Sequence, residues 1–285
     1  MGRKRLAAVV AALWLGCATV LAGCGASQTA DPVARAADVT AQVPGYRLRA
    51  TTTVSTGAGL IKTTMSGVVD RAHRTGVLSA HESALGHSLP TFTEKFSGLT
   101  FYMQASGVPA LRRLTGGKPW LRFDVNRLLG AIGVGSLPTT GSDPSQFVDY
   151  LRAVSTDTKR VGTARVGKAK TTQYHAIIDL RRYPDVLPPA RRAAAARSIS
   201  TLESALGGHT LPVDAWIDSR RMVRRISMEF PECVASQHLR FAMTMDLFDY
   251  GPQPRTTLPP AGQAFDITPL LRSAMSKLKF GCGSG

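Results

Sequence analysis

The chain has 285 residues, enough for one large domain or two small ones around a sizeable buried core. With 44% hydrophobic and 19% charged residues it is not globally disordered, and its one long apolar stretch, at the N-terminus, excludes a multi-span membrane protein. The formal net charge of +16 suits an anionic partner surface, or equally an arginine-rich solvated face.

Gly2-Arg3-Lys4-Arg5 is a basic n-region, and Leu6 to Leu21 is an uncharged apolar h-region. Together they read as a secretory signal peptide. Leu21-Ala22-Gly23-Cys24 follows and matches the lipobox of bacterial lipoproteins. That match implies cleavage before Cys24 and acylation of Cys24 (with palmitate or a similar chain), leaving a tether over residues 24–30. Each buried CH₂ contributes about 0.8 kcal/mol, so two or more chains hold a protein on a bilayer almost permanently. Loss of residues 1–23 removes three basic and no acidic groups and leaves a net charge of +13. Cys17 goes with the signal and Cys24 is taken by lipid. Cys233 and Cys282 remain as an even pair in an exported domain. A disulfide between them is the economical reading, and two free thiols the alternative. The bridge would close a loop of about 50 residues, worth about 4 kcal/mol on the chain-entropy model.

Asp31-Pro32 supplies an N-cap and a first-turn proline for a short helix over about 32–42, ended by Pro44-Gly45. Segments 46–54, 60–70, 75–81, 91–96 and 99–104 alternate and are rich in β-branched residues, with a hairpin signal at Thr56-Gly57-Ala58-Gly59. Strand-like segments without intervening helices argue for one curved antiparallel sheet. After Trp120 to Asp124, a short helix is expected over 125–132, and the Gly/Pro/Ser/Thr-rich stretch 133–143 reads as a loop. Asp143-Pro144 then caps a helix to about Val154. Strands are expected at 159–166 and 171–180, turning at Gly167-Lys168. The longest helix should span 185–206, with a stripe of Leu187, Ala190, Ala194, Leu202 and Leu206.

The last strands alternate most clearly. Leu211, Val213, Ala215 and Ile217 share one face. Ile226, Met228 and Phe230 share another, and so do Leu239, Phe241, Met243, Met245 and Leu247. Flexible thioethers suit an adaptable apolar lining, but the pattern also suits an ordinary core.

Chemical motifs fail on inspection. Gly162-x₄-Gly167-Lys168-Ala169 lacks the Ser or Thr that a phosphate loop needs for Mg²⁺, and it reads as a hairpin. His81-Glu82-x₄-His87 has the wrong spacing for two zinc ligands on one helix face. Asp214 and Asp218 stand about 13 Å apart on a strand, beyond a glycosidase pair. Ser276-x-x-Lys279 has no partner motif. No catalytic residue, metal site or cofactor is expected, and nucleic acid is a poor partner outside the cytoplasm.

The order of these features resembles a known family. A lipobox signal precedes a short helix and a run of antiparallel strands. Asp143-Pro144-Ser145 opens a central helix, and a Gly-containing strand pair covers 160–180. A long helix and Leu211-Pro-Val-Asp-Ala-Trp-Ile-Asp218 follow, then Val223-Arg-Arg-Ile226. The chain is similar over most of 31–250 to the LppX/LprAFG-like lipoproteins of actinobacteria, within the wider LolA-like group. The resemblance implies an α+β fold, with a strongly curved antiparallel half-barrel whose concave face is covered by helices, as a single domain over 31–285. It also implies a non-enzymatic monomer on the extracytoplasmic face of the cell membrane. Such a protein carries acyl chains of phospholipid or glycolipid in an apolar cavity and hands them to partners such as an envelope transporter. Alternation then nominates Phe101, Met103, Ile226, Met228, Phe241, Met243 and Met245 as lining, with Leu128 and Leu129 as a helical lid. The alternative is a surface interaction module that keeps the fold without the cargo.

Overall fold

A computed structural model describes residues 31–57, 59–104, 113–125, 127–128, 145–154, 157–234 and 237–275. Cys24, Leu129 and Cys282 lie outside the described residues, as do the expected signal and tether, most of the expected 125–132 helix, and the loop and cap expected over 133–144.

The fold starts with α1 (Pro32–Ala41), whose N-terminus is capped as its sequence dictates. Asp31 Oδ1 accepts from the Val33 and Ala34 amides at 2.8 and 3.2 Å, and Pro32 opens the first turn. Val33, Ala36, Ala37 and Thr40 form its buried face. Thr40 Oγ1 accepts from the Val223 amide at 2.9 Å, which satisfies a buried donor.

A first meander then runs through β1 (Gly45–Thr56), β2 (Gly59–Asp70), β3 (Thr75–Ala84), the two-residue β4 (His87–Ser88), β5 (Phe92–Ser97), β6 (Thr100–Gln104) and β7 (Trp120–Asp124). At the β1–β2 hairpin, Thr56 Oγ1 donates to Gly59 O and accepts from Gly59 N, at 2.9 and 3.1 Å. A second meander comprises β8 (Lys159–Val166), β9 (Ala169–Asp179), β10 (Thr210–Asp218), β11 (Val223–Val234) and β12 (Gln237–Phe248). The two meet where β1 pairs antiparallel with β12, with Thr51 opposite Thr244. A last short strand, β13 (Ala264–Asp266), pairs in parallel with β7. All 13 strands belong to one open, curved sheet, ordered β13-β7-β6-β5-β3-β2-β1-β12-β11-β10-β9-β8 with β4 on the side of β3.

Helices before β10 gather on the inner face of the second meander, and the last one packs against β7. Between β7 and β8 lies α2 (Ser145–Tyr150), continued by a 3₁₀ turn, Leu151–Ala153. Both pack against α1, and Arg152 Nε reaches Asp38 at 2.7 Å. Between β9 and β10, two 3₁₀ turns lead into α3 (Pro189–Leu206), closed by Gly207 at φ +69°. A short α4 (Thr268–Met275) follows β13. The packing of α1 is against β10 and β11, and that of α3 against β11.

The expected stripe of α3 needs correcting. Pro188 and Pro189 delay the helix, so Leu187 is buried from extended backbone ahead of it and Ala190 is exposed. The buried face runs instead through Ala195 and Ile199, one turn apart. The side chains of Ala194 and Leu202 lie outside the description.

Candidate functional site

The strand registers bring most of the alternation-derived lining residues together. Ile226 stands opposite Met245, Met228 opposite Met243, and Phe230 opposite Phe241. The last pair stacks at 4.7 Å between ring centroids. These six residues are 0–5% exposed and belong to the core beneath the helices. Phe101 is equally buried, 5.7 Å from Phe96 and 5.5 Å from Phe123, ring to ring. Leu128 is buried too. Met103 is half-buried and packs against a small second cluster of Leu121 and Ile267.

One row of the inner face carries the contrast on which the site is built. From β10 across to β5 it reads Ala215, Ile226, Met245, Ala50, Met65, Ala80 and Phe92. The first four are buried. Met65, Ala80 and Phe92 are only half-buried. Two rows along, the same contrast runs from buried Phe241 to half-buried Val54 and Ile61, while the row between them turns from Met228 and Met243 to Thr52, Thr63 and Glu82. The inner face is thus covered over β10–β12 and along the Leu48, Leu78, Phe96 and Phe101 end of the first meander, and is partly accessible around Val54, Met65, Ala80 and Phe92.

That accessible half was not legible from alternation. In β2 and β3, Thr, Ser and Gly occupy both faces, so Met65 and Ala80 have no visible stripe around them. Glu94 was missed for the same reason. It lies on the inner face of β5, in register with Leu78 on one side and Met103 on the other. Its Oε1 is buried and has no hydrogen-bond partner among the described residues. Burial pushes its carboxyl from 4.5 up to about 7. Glu82, on the same face, sits four residues along β3 from Leu78.

A stability consequence follows for Glu94. The folded state holds the Glu94 proton where the unfolded chain has released it, so stability is lost as pH rises from about 4.5 to about 7. The loss is at most about 3 kcal/mol. Glu94→Gln should therefore match the wild type in urea unfolding at pH 4 and exceed it at pH 8. An equal gap at both pH values would contradict this.

The remaining sequence candidates do not converge. His81 and Glu82 are adjacent on β3 and so point to opposite faces, while His87 is on β4. His175 Nδ1 and Asp214 Oδ1 meet at 3.1 Å on the outer face, substantially exposed. Among the described residues no group of three or more His, Cys, Asp or Glu could hold a metal ion, and no helix is long and apolar enough to cross a membrane. The Gly162–Ala169 segment lies in the β8–β9 hairpin.

No protein-family model and no curated protein matches the chain. Among solved structures, the chain is similar to the lipoprotein LppX of Mycobacterium tuberculosis. Identity is 11% over 79% of this chain and 95% of that one, with a TM-score of 0.45. It is similar to LprF of Mycobacterium bovis at 12% identity, over 81% and 96% of the two chains, with a TM-score of 0.41. An outer-membrane lipoprotein-sorting protein domain of Vibrio parahaemolyticus matches at 6% identity, over 84% and 97%, with a TM-score of 0.28.

Proposed function

We propose that this chain is a cell-envelope lipoprotein that binds and carries lipid, holding acyl chains against the inner face of its sheet. In this reading Cys24 anchors it to the extracytoplasmic face of the cell membrane, and it works as a carrier with no enzymatic step. The observation that carries the proposal is the inner-face row running from Ala215 to Phe92. One row is buried over β10–β12 and β1 and left half-covered at Met65, Ala80 and Phe92 on β2, β3 and β5. An acyl chain needs an apolar, adaptable surface, and Met65 and Met103 offer flexible thioethers on that half. Acylation at the 21–24 lipobox would keep a carrier beside its cargo. The buried Ile226, Met228, Phe241, Met243 and Met245 then form the floor that holds the sheet's curvature, and Phe101 and Leu128 its wall. A Cys233–Cys282 disulfide would tie the C-terminus to β11 in the same exported protein.

Native mass spectrometry of the chain from Gly25 onward, purified from a bacterial host with lipid extraction alongside, tests this reading. Phospholipid or glycolipid at near-unit stoichiometry is the expected result. A lipid-free mass that stays lipid-free after incubation with envelope lipids would leave a surface interaction module as the better account.

A further inference from the structure

A second feature lies at one end of the sheet, away from the half-covered apolar face. The β8–β9 turn, the β10–β11 turn and the end of β12 meet beside Arg49 of β1 and frame a cleft of about 570 Å³. Its charged lining is Arg49, Lys168, Arg220, Arg224, Asp246 and Asp249. Two of these six are already committed. Arg224 Nη2 lies 2.6 Å from Asp218 Oδ2, both groups largely buried, with the guanidinium 4.7 Å from the Tyr250 ring centroid. Asp246 takes a two-pronged pair from Arg225, at 2.5 and 2.8 Å.

Arg49, Lys168 and Arg220 have no ion-pair partner among the described residues, and they share the cleft with one further carboxylate, Asp249. The uncommitted groups therefore carry a net charge of +2. The three cations come from three separate elements, so this is not one flexible basic run. Arg220 is held at its backbone, where Asp218 Oδ1 accepts from the Arg220 and Met222 amides, both at 2.9 Å. Lys168 is the lysine of the Gly162–Ala169 segment. That segment is not a phosphate loop, because it folds as a hairpin, yet the hairpin delivers its lysine into this cleft. Guanidinium and ammonium donors converging on a small concave site are the chemistry that recognises phosphate oxygens.

We infer that this cleft is a phosphate-binding site, taking either free phosphate or the phosphate of an anionic lipid headgroup. The inference does not depend on where acyl chains bind.

The test uses the chain from Gly25 onward, at low ionic strength. Calorimetry with inorganic phosphate reads the free anion. Co-sedimentation with phosphatidylglycerol vesicles, against phosphatidylcholine vesicles, reads the headgroup. The variants are Lys168→Ala and Arg220→Ala, both at exposed positions. Arg240→Ala, an exposed arginine paired with Glu229 elsewhere on the sheet, serves as the charge-matched control. Each cleft variant is expected to weaken phosphate or phosphatidylglycerol binding about tenfold, the loss of one charge-assisted hydrogen bond, while Arg240→Ala stays near wild type. An effect on both probes supports a general phosphate site. An effect on the vesicles alone supports the headgroup as its source, and an effect on inorganic phosphate alone the free anion. Equal weakening by all three variants, or by none, overturns the inference, since the attraction would then be diffuse surface charge.

Discussion

Replacing Phe101 with alanine is expected to lower the unfolding free energy by about 3–5 kcal/mol. The ring is 1% exposed and lies between Phe96 and Phe123, nearly parallel to the latter at an interplanar angle of 13°. Across the sheet, Tyr46, Val69, Gly76, Phe96, Phe101 and Phe123 form one inner-face row, so the stack is the continuation of a packed layer. Room for it is made at Gly76, where an added Cβ would sit 2.3 Å from the Phe96 ring. With neighbours fixed on cross-strand backbones, the cavity left by alanine cannot collapse freely. Urea unfolding checks the value. A cost below about 1 kcal/mol would mean that Phe101 borders open space instead of closing the core.

Asp218→Ala is expected to cost a similar amount, about 3–5 kcal/mol, by a different mechanism. One carboxylate organises the whole β10–β11 turn. Oδ1 accepts two backbone amides, and Oδ2 accepts from Arg224 Nε at 2.7 Å. The side chains of Asp218 and Arg224 are 7% and 15% exposed, so alanine would strand a guanidinium that has little access to water. Tyr250 is tied into the same cluster, donating its hydroxyl proton to Val223 O, and burial and the nearby Asp218 charge hold that phenol above its ordinary range although Arg224 pulls it down. Combining Asp218→Ala with Arg224→Met should cost less than the sum of the two single changes, because no buried charge is then left alone. Strict additivity in that cycle would show that the pair is not coupled. Since Arg220 rides on the same turn, Asp218→Ala should also weaken phosphate binding.

Local chemistry was readable where a few adjacent residues decide the outcome. Asp31-Pro32 caps α1, Gly57 and Gly167 sit in the turns expected of them, and the alternation in β10, β11 and β12 identifies the buried face. Pairing between distant segments was not readable. Residues 264–266 carry no strand signal of their own. They form β13 because β7 offers an edge, with Arg122 reaching Asp266 at 2.7 Å and Thr268 Oγ1 accepting from the Asp124 amide. The face of α3 was misjudged because Leu187, one residue before the proline pair, was counted into the helix period.

For the site itself, alternation reports which face is apolar but not which part of it a helix covers. It therefore selected Met228, Met243 and Met245, at the sealed end, over Met65 and Phe92 at the half-covered end. Glu94 sits among apolar neighbours that only the register reveals. The basic cleft joins three segments far apart in sequence, so no single basic run marks it.

In the proposed function, acyl chains lie on the half-covered part of the inner face, around Met65, Ala80, Phe92 and Met103. Photo-crosslinking with a phospholipid bearing a diazirine in its acyl chain, followed by peptide mass spectrometry, tests it most directly. Adducts are expected on β2, β3, β5 and β6, centred on Met65, Ala80, Phe92 and Met103. Adducts confined to the outer face of the sheet, or none above a detergent-competed background, would contradict it.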